Sequence, residues 1–193
     1  MVIVFLGPAG SGKDTQANLL SKELNIPNIS TGQLFRDTIE NGGVLAKFVS
    51  ALINKGKLIP TELLTEMLLE RIERKDAENG FILNGAPRTF EQVSFIDKAA
   101  RFINQKVDFV FSLEVPLLET FNRLHKRAGV EKRADDADSK FILERLHLHY
   151  QDFEEIKQEY RDRGILHEIE GLGEIEEIHQ RIWDVIKSKT DAA

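Results

Sequence analysis

Short apolar runs alternate with longer amphipathic segments throughout this chain. Apolar runs bounded by polar residues are typical of strands buried on both faces of a sheet. This pattern predicts strands at residues 2–6, 81–83, 107–113 and 165–169, and a strand with more polar residues at 25–30. Apolar residues three and four positions apart predict helices at residues 15–25, 31–36, 44–54, 61–75, 90–104, 117–126, 139–162 and 174–188.

The order of these elements predicts the fold class. Strands that alternate with helices form parallel sheets whose crossover helices cover both faces. We therefore expect an α/β, doubly wound fold with a five-stranded parallel sheet flanked by helices on both faces. Ligands of such folds bind beyond the carboxyl ends of the strands, so we expect a site in the loops that follow residues 6 and 83.

A glycine-rich loop leads from the first predicted strand into the first predicted helix. It reads Gly-Pro-Ala-Gly-Ser-Gly-Lys over residues 7–13, with Asp14 and Thr15 next. Glycines allow a tight turn whose amide N–H groups converge on an anion, and the helix N-terminus adds a positive dipole end. Lys13 brings a full charge to phosphates, and Thr15 a hydroxyl to an accompanying metal ion. The pattern predicts a phosphate-binding loop; the alternative is a turn that binds nothing.

Composition excludes several other functions. The chain has 193 residues, enough for one domain with small lobes, a net charge of −6 and no cysteine. An acidic chain lacks the basic face that non-specific nucleic-acid binding needs, and without cysteine there is neither a disulfide nor a thiolate zinc site. No apolar run is long enough to span a membrane. We expect a cytoplasmic protein without a nucleic-acid or membrane partner.

Three further segments carry residues that suit phosphorylated ligands. They are Ser-Thr-Gly-Gln-Leu-Phe-Arg at 30–36, Gly-Phe-Ile-Leu-Asn-Gly-Ala-Pro-Arg-Thr at 80–89 with Gln92 just after, and the arginines Arg123, Arg127, Arg133 and Arg145. Arginine binds two phosphate oxygens at once through its planar guanidinium, although any single arginine can equally be a solvated surface charge. Together with the loop at 7–13, these segments resemble adenylate kinase over essentially the whole chain.

The resemblance implies an activity and a domain organisation. The activity is reversible phosphoryl transfer from ATP to AMP, giving two ADP, with Mg²⁺, without zinc, and in the service of adenine nucleotide homeostasis. The implied fold is a P-loop NTPase core at 1–29, 60–122 and 134–193, an NMP-binding lobe at 30–59 and a short lid at 123–133. Closure of the lobes would exclude water from the reaction. The family is usually monomeric, so we expect a monomer.

The resemblance also assigns roles to individual residues. Catalysis, by neutralising phosphate charge, would fall to Lys13, Arg88, Arg127, Arg133 and Arg145. ATP would be bound by Gly10, Ser11, Gly12, Lys13, Asp14, Thr15, Arg123, Arg127 and Gly173. AMP would be bound by Thr31, Arg36, Lys57, Leu58, Ile59, Gly85, Ala86, Pro87, Arg88, Gln92, Arg133 and Arg145. Gln92 would read the adenine edge, and Thr15 would contact the metal ion, mostly through water.

Four positions depart from the family pattern, all at the predicted site. Asp14 stands where the family has Gly, Gln33 and Asn84 where it has Asp, and Ala86 where it has Phe. The two missing carboxylates hold the water shell of Mg²⁺ in the family. An amide can accept the same hydrogen bonds but gives up the charge.

Asp14 places a carboxylate beside the predicted phosphates. At about 6 Å and an effective dielectric constant near 20, the repulsion is roughly 3 kcal/mol per unit charge. One interpretation is that Asp14 partly replaces the missing acids in the magnesium shell. The other is that Asp14 stabilises the N-terminus of its helix.

Alternative functions stay open from the sequence. The departures are compatible with a catalytically impaired nucleotide-binding homologue, and the acceptor could be another nucleoside monophosphate, although Thr89 and Gln92 favour AMP. A P-loop kinase of a non-nucleotide substrate is disfavoured by the Gly-Ala-Pro-Arg-Thr turn. His147 and His149 lie two positions apart on a predicted helix and point to different sides, so we interpret them as packing or exposed residues rather than metal ligands.

Overall fold

The computed structural model describes residues 1–131 and 152–190, and the side chains of 1–126 and 152–189. The strands are β1 (Val2–Leu6), β2 (Asn28–Ser30), β3 (Phe81–Asn84), β4 (Val107–Glu114) and β5 (Leu166–Glu170). The helices are α1 (Lys13–Leu24), α2 (Thr31–Asn41), α3 (Gly43–Ile53), α4 (Thr61–Ile72), α5 (Phe90–Phe102), α6 (Leu117–Glu131), α7 (Phe153–Asp162) and α8 (Ile175–Thr190), with a 3₁₀ turn at Lys75–Ala77.

The five strands form one parallel sheet in the order β2-β3-β1-β4-β5. β1 lies at the centre, where Val2 is aligned with Phe81 of β3 and Val107 of β4. At the other end of the strand, Phe5 is aligned with Asn84. The predicted α/β fold is confirmed, and the loops after β1 and β3 emerge side by side at the edge where such sheets bind ligands.

Two apolar cores cover the two faces of the sheet. Alternate residues of a strand point to opposite faces, so Val2 and Val4 pack on one side while Ile3 and Phe5 pack on the other. The first core is completed by apolar residues of α4, α5 and α7, and the second by those of α1 and α8. All of β1 is buried, which explains why its sequence lacks the alternation of a half-exposed strand.

Several predicted boundaries are wrong for local reasons. The second strand begins at Asn28 rather than residue 25, because Asn25 adopts a left-handed conformation (φ 52°) that ends α1. Helix α6 continues to Glu131, beyond the end predicted at residue 126. Within the described residues no helix has the length and apolar character required to cross a bilayer.

The predicted helix at 139–162 does not run through Asp152. This residue has non-helical angles (φ −105°, ψ 3°), and α7 begins at Phe153. The Asp152 carboxylate accepts the backbone N–H of Phe90 at 3.1 Å, which fastens the start of α7 to the start of α5. Residues 132–151, including His147 and His149, lie outside the described part of the chain.

Lys157 of α7 joins the carboxyl-terminal halves of β4 and β5. Its side chain is only 5% exposed, and its Nζ lies 2.8 Å from Glu114 and 2.6 Å from Glu168. Burial lowers the pKa of Lys157, but the hydrogen bonds to the two glutamates outweigh it, so that the pKa is raised. The hydrogen bond from Lys157 likewise holds the pKa of Glu168 below its ordinary value.

We expect Lys157→Met to lower the free energy of unfolding by about 2 kcal/mol at pH 7, because two half-exposed carboxylates lose their buried partner. The pKa of Glu168 is lowered in the folded protein. Its contribution to the free energy of unfolding is therefore complete above its ordinary pKa of 4.5 and is lost as the pH falls through the folded pKa. The difference from wild type should therefore shrink in urea titrations at low pH. A constant difference, or an equal loss in the exposed control Lys106→Met, would contradict this account.

Candidate functional site

The loop between β1 and α1 turns tightly and packs closely against α6. Gly10 and Gly12 have left-handed φ angles of 84° and 97°, and a Cβ at Gly10 would lie 2.7 Å from the backbone oxygen of Thr120. Helix α1 begins at Lys13, whose Nζ donates to the Pro8 carbonyl at 2.8 Å. The loop thus brings a lysine and a helix N-terminus to one place, an arrangement that suits an anion.

A cleft of about 500 Å³ opens beside this loop. It is lined by Gly10, Gly12, Lys13, Asp14, Thr15, Asn18, Asn28, Ser30, Gln33, Arg36 and Arg123. Three of these are cations, and Asp14 is the only carboxylate among the described residues that line it. The side chain of Ser11, predicted to bind ATP, is buried within the loop, and its Oγ has no hydrogen-bond partner among the described residues.

Arg123 of α6 bridges the glycine-rich loop and the loop after β5. Its guanidinium lies 2.7 Å from Glu119 and donates to the carbonyls of Ser11 (3.5 Å) and Gly171 (3.2 Å). Arg181 of α8 holds the same loop through the carbonyls of Glu170 and Leu172, which places Gly173 nearby. The sequence did not indicate Arg181, since its partners are backbone atoms that no side-chain motif marks.

A second, smaller pocket of about 30 Å³ lies between α2, α4 and the loop after β3. It is lined by Thr31, Phe35, Leu58, Ile59, Leu64, Gly85, Arg88 and Gln92. Six of these were predicted from the resemblance; Phe35 and Leu64 were not. Thr31 is 1% exposed, and its Oγ1 has no hydrogen-bond partner among the described residues. A buried hydroxyl without a protein partner at a pocket wall can form a hydrogen bond to a ligand or to a water molecule.

Gln92 and Arg88 are held together at this pocket. The Gln92 Oε1 accepts the backbone N–H of Arg88 at 2.7 Å, and the Arg88 Nε donates to the Gly85 carbonyl at 2.9 Å. The Gln92 amide group therefore turns its NH₂ away from that bond. Ala86 and Pro87, also predicted to contact a ligand, are buried behind the turn, and Lys57 is exposed and lines neither pocket.

Arg36 of α2 points into the larger cleft rather than the smaller pocket. The Gln33 Oε1 accepts from its Nε and Nη2 at 3.1 and 2.7 Å, and the Gln33 Nε2 donates to Asp37 at 2.6 Å. A neutral amide thus orients Arg36 without neutralising it. Gln33 stands where the family has an Asp of the metal's water shell; in this structure its amide lines the cleft and bonds Arg36.

The side chains of Asp14 and Asn84 form a direct hydrogen bond although 70 residues separate them in the chain. The Asn84 Nδ2 donates to the Asp14 Oδ1 at 2.8 Å. Within the described residues no group of three or more His, Asp or Glu side chains is arranged around a metal ion. Arg133 and Arg145 lie outside the described residues, as does the side chain of Arg127.

A parallel α/β sheet with a glycine-rich anion loop after β1, a cationic cleft and an adjoining pocket defines a P-loop nucleotide-binding protein. Comparison with known proteins narrows this class. The adenylate kinase family model matches residues 5–165. An adenylate kinase of Thermobifida fusca is 36% identical over 189 residues, covering 98% of this chain and 100% of that protein. One of Micrococcus luteus is 38% identical over 190 residues (98% and 92%), and one of Leptospira biflexa 36% over 180 residues (93% and 96%). The chain belongs to the adenylate kinase family.

Proposed function

We propose that this chain transfers a phosphoryl group reversibly from ATP to AMP, giving two ADP, with ATP in the larger cleft and AMP entering from the smaller pocket. The observation that carries the proposal is that the two sites meet on one helix: α2 contributes Arg36 to the cleft and Thr31 to the pocket. A ligand in each would bring their phosphates together near Arg36. Two polyanions approach each other only where cations offset the repulsion. Supplying that positive charge is the main catalytic contribution of phosphoryl-transfer enzymes.

The ATP side of the proposal rests on the loop and its neighbours. The amides of residues 10–13 and the Lys13 ammonium would hold the phosphates, while Arg123 and the Gly171–Gly173 loop would border the base. Arg123 is fixed by three oxygen partners, so its guanidinium face is presented with little loss of side-chain entropy on binding. Arg127, Arg133 and Arg145 are assigned to the transferring phosphoryl group by resemblance alone.

The AMP side rests on the smaller pocket. The orphan hydroxyl of Thr31 and the NH₂ of Gln92 are the polar groups that would recognise a base, between apolar walls formed by Leu58, Ile59 and Leu64. Arg88 and Arg36 would hold the monophosphate. The polar groups of the pocket are few and fixed, which favours one base over others.

The metal proposed for ATP is Mg²⁺, which supplies charge neutralisation at the phosphates when bound. The residues present fit it in chemistry: Thr15 offers a hydroxyl and Asp14 a carboxylate, both exposed at the cleft, and hard cations prefer oxygen ligands. Only one carboxylate faces the cleft in the described residues, so most Mg²⁺ ligands would be phosphate and water. No zinc is proposed.

Residues 30–59 and 123–133 are proposed to close over the two nucleotides and exclude water. The enzyme is proposed to act as a cytoplasmic monomer in adenine nucleotide homeostasis. The second candidate, a catalytically impaired binding homologue, is favoured by the amides at Gln33 and Asn84, which supply no charge to the metal.

Binding of a bisubstrate analogue, two adenosines joined by a pentaphosphate, tests the two-site arrangement. Calorimetric titration should give one analogue per chain, bound more tightly than either ATP or AMP because one molecule engages both sites. Bound analogue should prevent binding of both nucleotides. An analogue that competes with ATP but leaves AMP binding intact would contradict the arrangement. Tight binding with negligible turnover would favour the impaired homologue.

A further inference from the structure

Asp14 occupies an unusual position for a carboxylate. It is exposed in the first turn of α1 and is the only acid among the described residues that line the phosphate cleft. Asn84, at the end of β3, is 2% exposed and donates its amide N–H to Asp14 at 2.8 Å. Because a carboxylate only accepts hydrogen bonds, the amide nitrogen must face Asp14 and the amide oxygen is turned elsewhere.

Stabilisation of the helix alone does not account for this arrangement. The N-cap of α1 is Gly12, and no side chain caps the helix. The hydrogen bond of Asp14 instead crosses from α1 to the carboxyl end of β3, which fixes the side chain at the mouth of the cleft. A helix dipole needs a nearby negative charge, but it does not need that charge to be held by a buried amide on another element.

The surroundings of Asp14 indicate what it faces. Lys13 and Thr15 flank it in sequence and line the same cleft. A carboxylate there repels phosphate oxygens unless a cation lies between them, and at short range this repulsion is substantial even near a surface. Divalent cations carried by a nucleotide bind oxygen ligands, and residues that orient such ligands strongly affect metal affinity.

We propose that Asp14 and Asn84 act as one unit, in which Asp14 supplies the protein carboxylate that faces the Mg²⁺ ion carried by ATP and Asn84 is its positioning residue. The inference rests on the proposed binding of ATP in this cleft. The unit has one negative charge, and the neutral amide of Asn84 permits the close contact with Asp14. A carboxylate at both positions would place two like charges at hydrogen-bond distance.

Calorimetric titration of the whole chain with ATP, once with Mg²⁺ and once with EDTA, tests the unit without turnover. Asp14→Asn should bind metal-free ATP more tightly, because a negative charge beside the phosphates is gone. The same variant should bind ATP less tightly in Mg²⁺. The ratio of the two affinities, which is the coupling between metal and nucleotide, should fall about tenfold or more.

The double variant Asp14→Asn/Asn84→Asp keeps the bond and the charge but reverses the two roles, so it should recover the wild-type ratio to within about threefold. Asp184→Asn, an exposed acid on α8, is the matched control and should leave the ratio unchanged. An unchanged ratio in Asp14→Asn, or a double variant no better than Asp14→Asn, would overturn the proposal. Failure of wild type to bind ATP in either buffer would instead refute the proposed function.

Discussion

Replacement of Lys13 by Met is expected to lower kcat/KM for ADP formation by about 10³-fold, close to 4 kcal/mol of transition-state stabilisation. Lys13 is 9% exposed and lies where the glycine-rich loop meets α1. Its ammonium is thus partly removed from water, where its interaction with phosphate charge is strong. Methionine keeps the length and apolar packing of the side chain but removes the charge. A coupled assay with ATP, Mg²⁺ and AMP measures the effect.

The matched control for this variant is Lys22→Met, which removes an exposed lysine from the last turn of the same helix. It should retain kcat/KM to within about twofold, since exposed charges at this distance are screened by salt. Thermal unfolding should show both variants folded. A Lys13→Met protein with near-normal kcat/KM would mean that the loop does not hold the reacting phosphates.

Gly85→Ala is expected to raise the KM for AMP about 30-fold, near 2 kcal/mol, while the KM for ATP stays within about twofold. Gly85 has φ 91°, and a Cβ there would lie 2.5 Å from the Thr31 Oγ1. The methyl group therefore displaces the one polar atom of α2 at the smaller pocket. Initial rates with each nucleotide varied in turn separate the two KM values.

Backbone strain accompanies this substitution and needs its own control. Gly164 also has a positive φ, 68°, but a Cβ there meets nothing within 4 Å, and it lies after α7, away from both pockets. Gly164→Ala should therefore lose about 1–2 kcal/mol of stability without a change in the KM for AMP. An equal rise in the KM for AMP in both variants would show that backbone strain, and not obstruction of the pocket, causes the effect.

The fold was predictable because its signals are local. The run Val2–Leu6 is buried on both faces and reads as continuous apolar sequence, and the glycine pattern after it fixes the turn into α1. One boundary that failed, at Asp152, involves a long-range contact. Asp152 stands outside α7, which begins at Phe153, and its carboxylate accepts the backbone N–H of Phe90 on another helix; nothing within the 139–162 pattern indicates that partner.

In the candidate site, too, the residues marked by local motifs were predictable and the side-chain contacts were not. Residues carried by compact motifs, such as Lys13, Thr31, Arg88 and Gln92, do line the two sites. The bond between Asp14 and Asn84 was not predictable, because their proximity arises from the pairing of β1 with β3. The contacts of Gln33 were not predictable either, because its amide bonds Arg36 and Asp37 on its own helix and only the side-chain conformation shows this; a place for Gln33 near a metal ion stays a prediction.

Turnover with ATP and Mg²⁺ and, separately, AMP, UMP, CMP and GMP as acceptors tests most directly whether the chain transfers a phosphoryl group from ATP to AMP. We expect rapid ADP formation with AMP, at a kcat/KM about 10²-fold or more above that of the other three acceptors, because one base fits the polar groups of the smaller pocket. Negligible turnover with all four, from a folded protein that binds ATP, would contradict it.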